Sequence, residues 1–315
     1  HGVDYDPSDV FLCAGSGGGI IAFYFTVAQP GDEWLCCEPI YANYYATHAY
    51  PPFSFKWVSW KQDEEKEWTP DLDELRSKVT QRTTCISIVN PCNPTGAVFS
   101  EKILRGIVNI AAENSLLIQV DEVMDLLPHD GSISKSIAEL AGDVPTIVLN
   151  GLSKSMLAPG LRVGWLCIHD PKDRIVDIRK GMGKLSRVLG SYAIPTPILA
   201  ASTNILNKTK DFQRDLKPVL RTIKKRATYA SKRIEEIEGL SMVPVKAGFW
   251  GFAKYQGLGT VWKNHWDMAL DLLQWKGGDK GVSITGGSTW GPTYGANHFR
   301  VPVYESEDVL EEGFN

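Results

Sequence analysis

No run of apolar residues in this 315-residue chain approaches the ~18 that a membrane-spanning helix needs, so no membrane role is expected. Basic blocks are lacking as well. Lys and Arg number 33 against 37 Asp and Glu, a formal net charge of −4 that argues against nucleic acid or an anionic membrane as the main partner. The six cysteines (Cys13, Cys36, Cys37, Cys85, Cys92 and Cys167) form no CxxC pair and no zinc-like cluster. They read as small buried hydrophobes in a reducing compartment, the cytoplasm, with Cys36 and Cys37 as strand neighbours facing opposite ways. There is no internal repeat and no low-complexity linker. Asn207-Lys208-Thr209 matches a glycosylation acceptor, but it sits in a helical-looking stretch with no secretory signal beside it and is read as chance.

What is present is 43% hydrophobic residues, enough for a sizeable core, in a length that suggests two domains at ~150 residues each. The first two thirds alternate apolar runs with helical stretches. Asp9–Ala14, Trp34–Glu38, Cys85–Asn90, Leu116–Val120, Thr146–Asn150 and Arg162–Ile168 read as strands, several of them continuous enough to be buried on both faces. Helices are expected near Ile20–Val27, Leu72–Val79 and Glu101–Asn114. The alternation predicts an α/β fold with a mostly parallel central sheet in a large domain, residues 1–210. From Lys208 to Glu238 the pattern is one long solvated helix. Strand-like pieces at Met242–Tyr255 and Ser283–Tyr304, with a helix near Trp266–Trp275, give a smaller α+β domain over residues 211–315.

Four segments at the ends of these strands carry chemistry. Ala14-Gly15-Ser16-Gly17-Gly18-Gly19-Ile20 joins a strand to a helix; read alone, it suits a phosphate cradle or an ordinary glycine turn. Asn90-Pro91-Cys92-Asn93-Pro94-Thr95-Gly96 makes a rigid non-helical turn with amide side chains available to a ligand. Asp121, ending the strand Leu116–Val120, is a carboxylate that needs a cation, of which a protonated ring nitrogen is one kind. Lys154, in Asn150-Gly151-Leu152-Ser153-Lys154-Ser155, can be desolvated into a nucleophilic amine, and Arg162 eight residues on can clamp an anion in the same pocket. Lys135, in Gly131-Ser132-Ile133-Ser134-Lys135-Ser136, imitates this motif, but no apolar strand precedes it and Asp143 stands eight residues beyond.

Taken together and in this order, NPCNPTG, DEV and SKSMLAPGLRVGW resemble the pyridoxal-phosphate enzymes of the aspartate aminotransferase fold, the class I/II aminotransferase family, over essentially the whole chain. The resemblance implies a fold type I enzyme with pyridoxal 5'-phosphate as cofactor. It implies that Lys154 forms the Schiff base and moves the substrate proton, and that Asp121 pairs with the ring nitrogen. Asn93 would bond the ring 3-oxygen, Tyr41 would stack on the ring, and Arg162 with Ser16 and Gly17 would hold the phosphate. Arg300, in His298-Phe299-Arg300, would grip the substrate α-carboxylate beside Asn93. Partners would be an amino acid and a 2-oxo acid, with homodimerisation implied by resemblance alone.

The sequence departs from the family at two places. A tyrosine usually stands three residues after the aspartate; here it is Met124, which cannot donate to the 3-oxygen. The serine often found three residues before the lysine is Gly151. Family members also carry several tens of residues ahead of the position of His1, including a tyrosine reaching the neighbouring subunit's phosphate. The leading expectation is transamination between an L-amino acid and a 2-oxo acid. Elimination, γ-replacement, cyclisation or oxidation on the same constellation stay open, as does a non-catalytic relative. No second arginine can be assigned to a substrate side chain; Trp250 and Trp290 are candidates for lining the site, whereas Trp57, Trp60 and Trp68 need not face it.

Overall fold

A computed structural model describes residues 2–49, 55–188, 194–275 and 281–315. The strand–helix alternation is realised as β1 (Val10–Ala14), α1 (Gly15–Val27), β2 (Glu33–Glu38), α2 (Ala42–His48), β3 (Lys56–Asp63), β4 (Thr69–Pro70), α3 (Leu72–Lys78), β5 (Thr83–Val89), α4 (Glu101–Glu113), β6 (Leu117–Asp121), β7 (Thr146–Gly151), the one-turn α5 (Leu152–Ser155) and β8 (Val163–His169). These strands form one sheet in the order β1-β8-β7-β6-β5-β2-β3-β4. The run β3-β2-β5-β6-β7 is parallel; β8 and β4 join its two ends antiparallel, and β1, antiparallel to β8, runs in the same direction as the parallel strands. β2 and β6 are buried at every position, as strands covered on both faces must be.

Two cores lie on the two faces. Leu35, Cys37, Ile86, Ile88, Ile118 and Val120 point to one, under α3 and α4; Trp34, Cys36, Cys85, Leu117 and Ile147 point to the other, under α1 and α2. Cys36 and Cys37 therefore do face opposite ways, and all six cysteines are buried and free. Parallel connectivity leaves the strands' carboxyl ends on one rim, where the loops after β2, β5, β6 and β7 converge.

The chain continues through α6 (Val176–Val188), α7 (Thr196–Leu206) and the long α8 (Thr209–Glu235). Then β9 (Leu240–Met242), β10 (Trp250–Tyr255), α9 (His265–Leu273), β11 (Thr285–Gly286), β12 (His298–Pro302) and α10 (Glu307–Phe314) follow. The second sheet is antiparallel in the order β11-β12-β10-β9, and α8 and α10 close a third core with it through Ile223, Ala230, Ile234, Val301 and Leu310.

The sequence pattern contains neither the short α2 nor the two-residue β4, and two further elements differ from it. The strand β3 is absent from it, because Lys56–Asp63 is polar at most alternate positions and packs between β2 and the two-residue β4 near the sheet edge. The helix α1 starts at Gly15 rather than Ile20, since its glycines belong to the helix and let it approach the sheet. A Cβ on Gly19 would overlap Leu149, and one on Gly164 of β8 would lie 2.7 Å from the Gly15 carbonyl carbon and the Ser16 nitrogen. Backbone atoms cannot yield as a side-chain tip can, so Gly164→Ala is expected to destabilise the protein by ~1–3 kcal/mol. Gly160→Ala, with open space around it, should stay within ~0.5 kcal/mol of wild type; urea unfolding midpoints compare the two.

Candidate active site

The rim of the parallel sheet encloses a cavity of about 240 Å3 lined by Ser16, Tyr41, Asn93, Asp121, Met124, Lys154, Trp250 and Arg300 among others. Each arrives by a short path from a strand end. Tyr41 follows β2, Asn93 lies in the turn after β5, Asp121 is the last residue of β6, and Lys154 is on α5 directly after β7. Of the two asparagines in the turn, Asn90 is structural. Its Oδ1 accepts from the Phe99 amide at 2.8 Å and its Nδ2 donates to Ser134 Oγ at 3.2 Å. Asn93 is buried with its Oδ1 unpartnered, a polar atom left for a ligand.

Asp121 is 1% exposed, and among the described residues no cation pairs with it. Its Oδ1 accepts from the Val123 amide at 3.0 Å and its Oδ2 from Tyr44 Oη at 3.3 Å. Burial outweighs both bonds and pushes the carboxyl from 3.8 up to about 7. Lys154 is half-buried, and burial followed by the like charges of Arg300 and Arg162 lowers its ammonium from the ordinary lysine value. Such an amine is a better nucleophile and base at neutral pH. Lys135, by contrast, is a surface residue bonded to Glu101 at 3.1 Å.

The phosphate-type end lies at α1. This 13-residue helix has no side-chain cap and no acidic residue in its first turn, so the Ser16 and Gly17 amides meet the positive end of the helix dipole unopposed. Among the described residues Arg162 donates to two carbonyls, Pro159 at 3.0 Å and Ala14 at 3.4 Å, and pairs with no carboxylate. Its guanidinium lies where a Cβ on Gly15 would stand, and Gly15 has φ +72°. Gly151 is accounted for by the same crowding. A Cβ there would fall 2.8 Å from the Val163 carbonyl oxygen and 3.0 Å from Gly164 Cα, so a serine needs the β7–β8 pair to part.

Arg300 is held by two indoles. Its Cζ lies 4.8 Å from the ring centroid of Trp250 and 4.8 Å from that of Trp290, and Lys154 Nζ lies 4.9 Å from the same Trp250 ring. The rim loops fix both tryptophans. The Gly96 carbonyl accepts from the Lys246 and Ala247 amides at 3.1 and 2.9 Å, just before β10 and Trp250. Glu38, fully buried at the end of β2, accepts from the Thr293 and Tyr294 amides, and the Ile40 amide donates to the Trp290 carbonyl at 2.8 Å. Met124 is buried beside Gly248, whose absent side chain makes room for its sulfur.

Sequence reasoning missed Tyr44, Gln119 and Ser87, which stand behind Asp121. A signal existed for Gln119: it is the one polar residue inside Leu117–Asp121, two positions before the aspartate and so on the same face. A larger cavity of about 520 Å3, lined mainly by apolar residues including Leu240, Trp262, Leu272 and Phe314, adjoins the small sheet and holds no lysine.

An open, mostly parallel sheet with a desolvated lysine, a buried acid and two unpaired arginines on its rim defines an enzyme that handles anionic amines. A profile described as aminotransferase class I and II matches residues 1–278, and the chain belongs to that family, which is pyridoxal-phosphate-dependent. It is accordingly an aminotransferase of fold type I. It is 32% identical over 309 residues to the glutamate-pyruvate aminotransferase AlaA of Escherichia coli K12, covering 98% of this chain and 74% of that protein. A solved alanine aminotransferase from Pyrococcus furiosus superposes with a TM-score of 0.89 at 34% identity, over 99% of this chain and 76% of the other. The aspartate aminotransferase of Thermus thermophilus with maleate, 21% identical over 100% of this chain and 76% of its own, shares the fold with a TM-score of 0.82.

Because the raised acid of Asp121 favours the protonated form in the native state, its contribution to stability falls as pH climbs from about 4 to about 7 and its full penalty holds above that. In cofactor-free protein, Asp121→Asn is therefore expected to melt several degrees above wild type at pH 8, with the gap narrowing toward pH 5. A gap that does not change with pH would contradict the assignment of an isolated buried charge.

Proposed function

We propose that this aminotransferase exchanges an amino group between alanine or a similarly small L-amino acid and a 2-oxo acid, with pyridoxal 5'-phosphate held by Ser16, Gly17, Tyr41, Asn93, Asp121, Lys154 and Arg162. The observation that carries the reading is the convergence of Lys154, Asp121 and Arg300 on one cavity of about 240 Å3. The residues fit the group at each end. The Asn93 amide, whose Nδ2 can donate to a ring oxygen, the uncompensated Asp121 carboxylate and the acid-free pair of Arg162 and the α1 N-terminus suit, in turn, a ring substituent, a protonated ring nitrogen and a phosphate.

The bound group supplies an electron-withdrawing ring conjugated to the reacting carbon. Everything else is the chain's own work. Arg300 binds the substrate carboxylate with a guanidinium fork that no protein acid occupies. Lys154 would be the amine that holds the group and, when free, the base that moves the substrate Cα proton. Asp121 would pair with a protonated ring nitrogen, Tyr41 would cover the ring, and Trp250 would exclude water beside Lys154.

Two observations favour a small side chain. The cations on this cavity, Lys154 and Arg300, are both committed, leaving none for a second carboxylate, and the Trp250 indole fills the wall beyond them. The solved relative named for alanine supports the same choice. A homodimer and a cytoplasmic location belong to this proposal. No helix among the described residues is long and apolar enough to cross a membrane. The division into a large domain over 1–210 and a small one over 211–315 is also proposed, supported by a four-stranded sheet drawn entirely from residues beyond 239.

With formation of the donor's own 2-oxo acid as readout (pyruvate from alanine, oxaloacetate from aspartate), alanine is expected to exceed aspartate in kcat/KM by at least tenfold, and Lys154→Ala to lower kcat by at least ~10²-fold. Ammonia release without an added oxo acid would overturn the transaminase reading in favour of elimination. Normal turnover by Lys154→Ala would remove the lysine from it.

A further inference from the structure

Behind Asp121, on the face of the sheet covered by α2, Ser87 of β5 and Gln119 of β6 are buried polar side chains among Cys85, Val89 and Leu117, with Tyr44 of α2 over them. Ser87 and Gln119 are directly paired across β5 and β6, and the next pair on that face is Val89 with Asp121. Tyr44, one helical turn beyond Tyr41, descends from α2 to meet them. None of Ser87, Gln119, Tyr44 and Asp121 is more than 1% exposed. Their hydrogen bonds form a single line. Ser87 Oγ donates to Gln119 Oε1, Gln119 Nε2 donates to Tyr44 Oη at 2.8 Å, and Tyr44 Oη donates to Asp121 Oδ2 at 3.3 Å.

The direction of that line is dictated by its end. An ionised carboxylate can only accept, so Tyr44 must donate to it. Tyr44 must then accept from an amide, which turns the Gln119 oxygen toward Ser87. All three dipoles point the same way, and donors aligned in series polarise one another in a low-dielectric interior. Three buried polar residues without partners would each be unfavourable. Here each is satisfied, and the chain of donors terminates at the carboxylate. The arrangement gives less to a neutral Asp121, whose carboxyl oxygen is a weaker acceptor than a carboxylate oxygen.

We propose that Tyr44, Gln119 and Ser87 are positioning residues that hold Asp121 as an oriented anion for the cofactor's ring nitrogen. The inference rests on the reading of Asp121 given above. It extends that reading to residues that touch neither cofactor nor substrate and act through Asp121 alone.

The test is the equilibrium dissociation constant of pyridoxal 5'-phosphate from the full chain, measured by fluorescence titration between pH 6.5 and 9, with melting temperature recorded alongside. Tyr44→Phe is expected to weaken binding about tenfold at pH 7. The ratio to wild type should shrink toward pH 9, where alkali ionises Asp121 without help. The other titratable groups around Asp121 (Tyr41, Glu122, Cys92 and Lys154) are common to both proteins, so the ratio isolates the relay. Ser87→Ala, which reaches Asp121 only through two intermediaries, should move the constant the same way by about two- to threefold; it also serves if Tyr44→Phe does not fold. A pH-independent ratio with a lowered melting temperature would overturn the proposal, leaving these side chains as packing. Asp121→Asn separates the two levels. If it weakens binding while Tyr44→Phe and Ser87→Ala do not, the relay is wrong and Asp121 stands. If it has no effect, the reading of Asp121 itself fails.

Discussion

A carboxylate sealed at the end of a central strand is the constraint around which this molecule is organised. Asp121 sits in the middle of an eight-stranded sheet, with β5 on one side and β7 on the other, and only 1% of it is exposed. Two hydrogen bonds from the protein do not restore what solvation would have given, which is why its acidity is so far displaced. The fold thus stores an unfavourable charge that only a cation arriving from the cavity relieves. The strand order makes that relief specific. The neighbouring strands end at the same rim and deliver Asn93 and Lys154 to the same opening, so whatever pairs with Asp121 is in reach of an amide and an amine.

Close backbone approach is the second constraint, and it explains one departure of this chain from its family. The α1 N-terminus, the β7–β8 pair and Arg162 meet at Gly15, Gly151 and Gly164, positions where a Cβ would touch backbone or a guanidinium. The anion-binding end is therefore built from amides and one arginine pressed together, and a serine hydroxyl at 151 has no space between the strands. At the opposite end Met124 replaces a hydroxyl donor, and its long side chain is buried against Gly248 with Leu152 and Met156 in the same apolar cluster. That side of the cavity is thus walled by thioether and aliphatic carbon. Asn93 remains as the amide on that rim.

Most of the sheet was legible because its strands are continuous apolar runs ending in chemically conspicuous motifs, and the ends are where parallel topology collects ligands. Lys154 could be told from Lys135 by the strand before it and the arginine after it, and the structure adds that Lys135 is engaged in a surface ion pair with Glu101. The residues that escaped are those whose role is relational. Tyr44 looks like any aromatic of a helix, and Ser87 like a small core residue. Their meaning comes from a register, Ser87 opposite Gln119, that one-dimensional pattern does not contain. The strand β3 escaped for a different reason, since a polar strand near a sheet edge has no hydrophobic signature to show.

The manner in which Arg300 is held bears on how the site treats its two cations. An arginine awaiting a carboxylate is commonly steadied by an acid, but an acid within reach would neutralise the charge that the substrate must find and would compete for the same donors. Here two indole faces do the steadying, which is attractive to a guanidinium yet leaves its in-plane N–H groups free. The consequence reaches Lys154, which shares the Trp250 ring and feels the full, uncompensated charge of Arg300 as a like-charge neighbour. Before substrate binds, that repulsion helps keep the amine in its neutral, reactive form. On the proposed reading, a carboxylate docked on Arg300 would relieve that repulsion and make the amine a stronger base as the substrate Cα proton comes within its range. An acid in place of the indoles would neutralise Arg300 beforehand and remove that change, so on this reading aromatic rather than ionic support ties the amine's basicity to the presence of substrate.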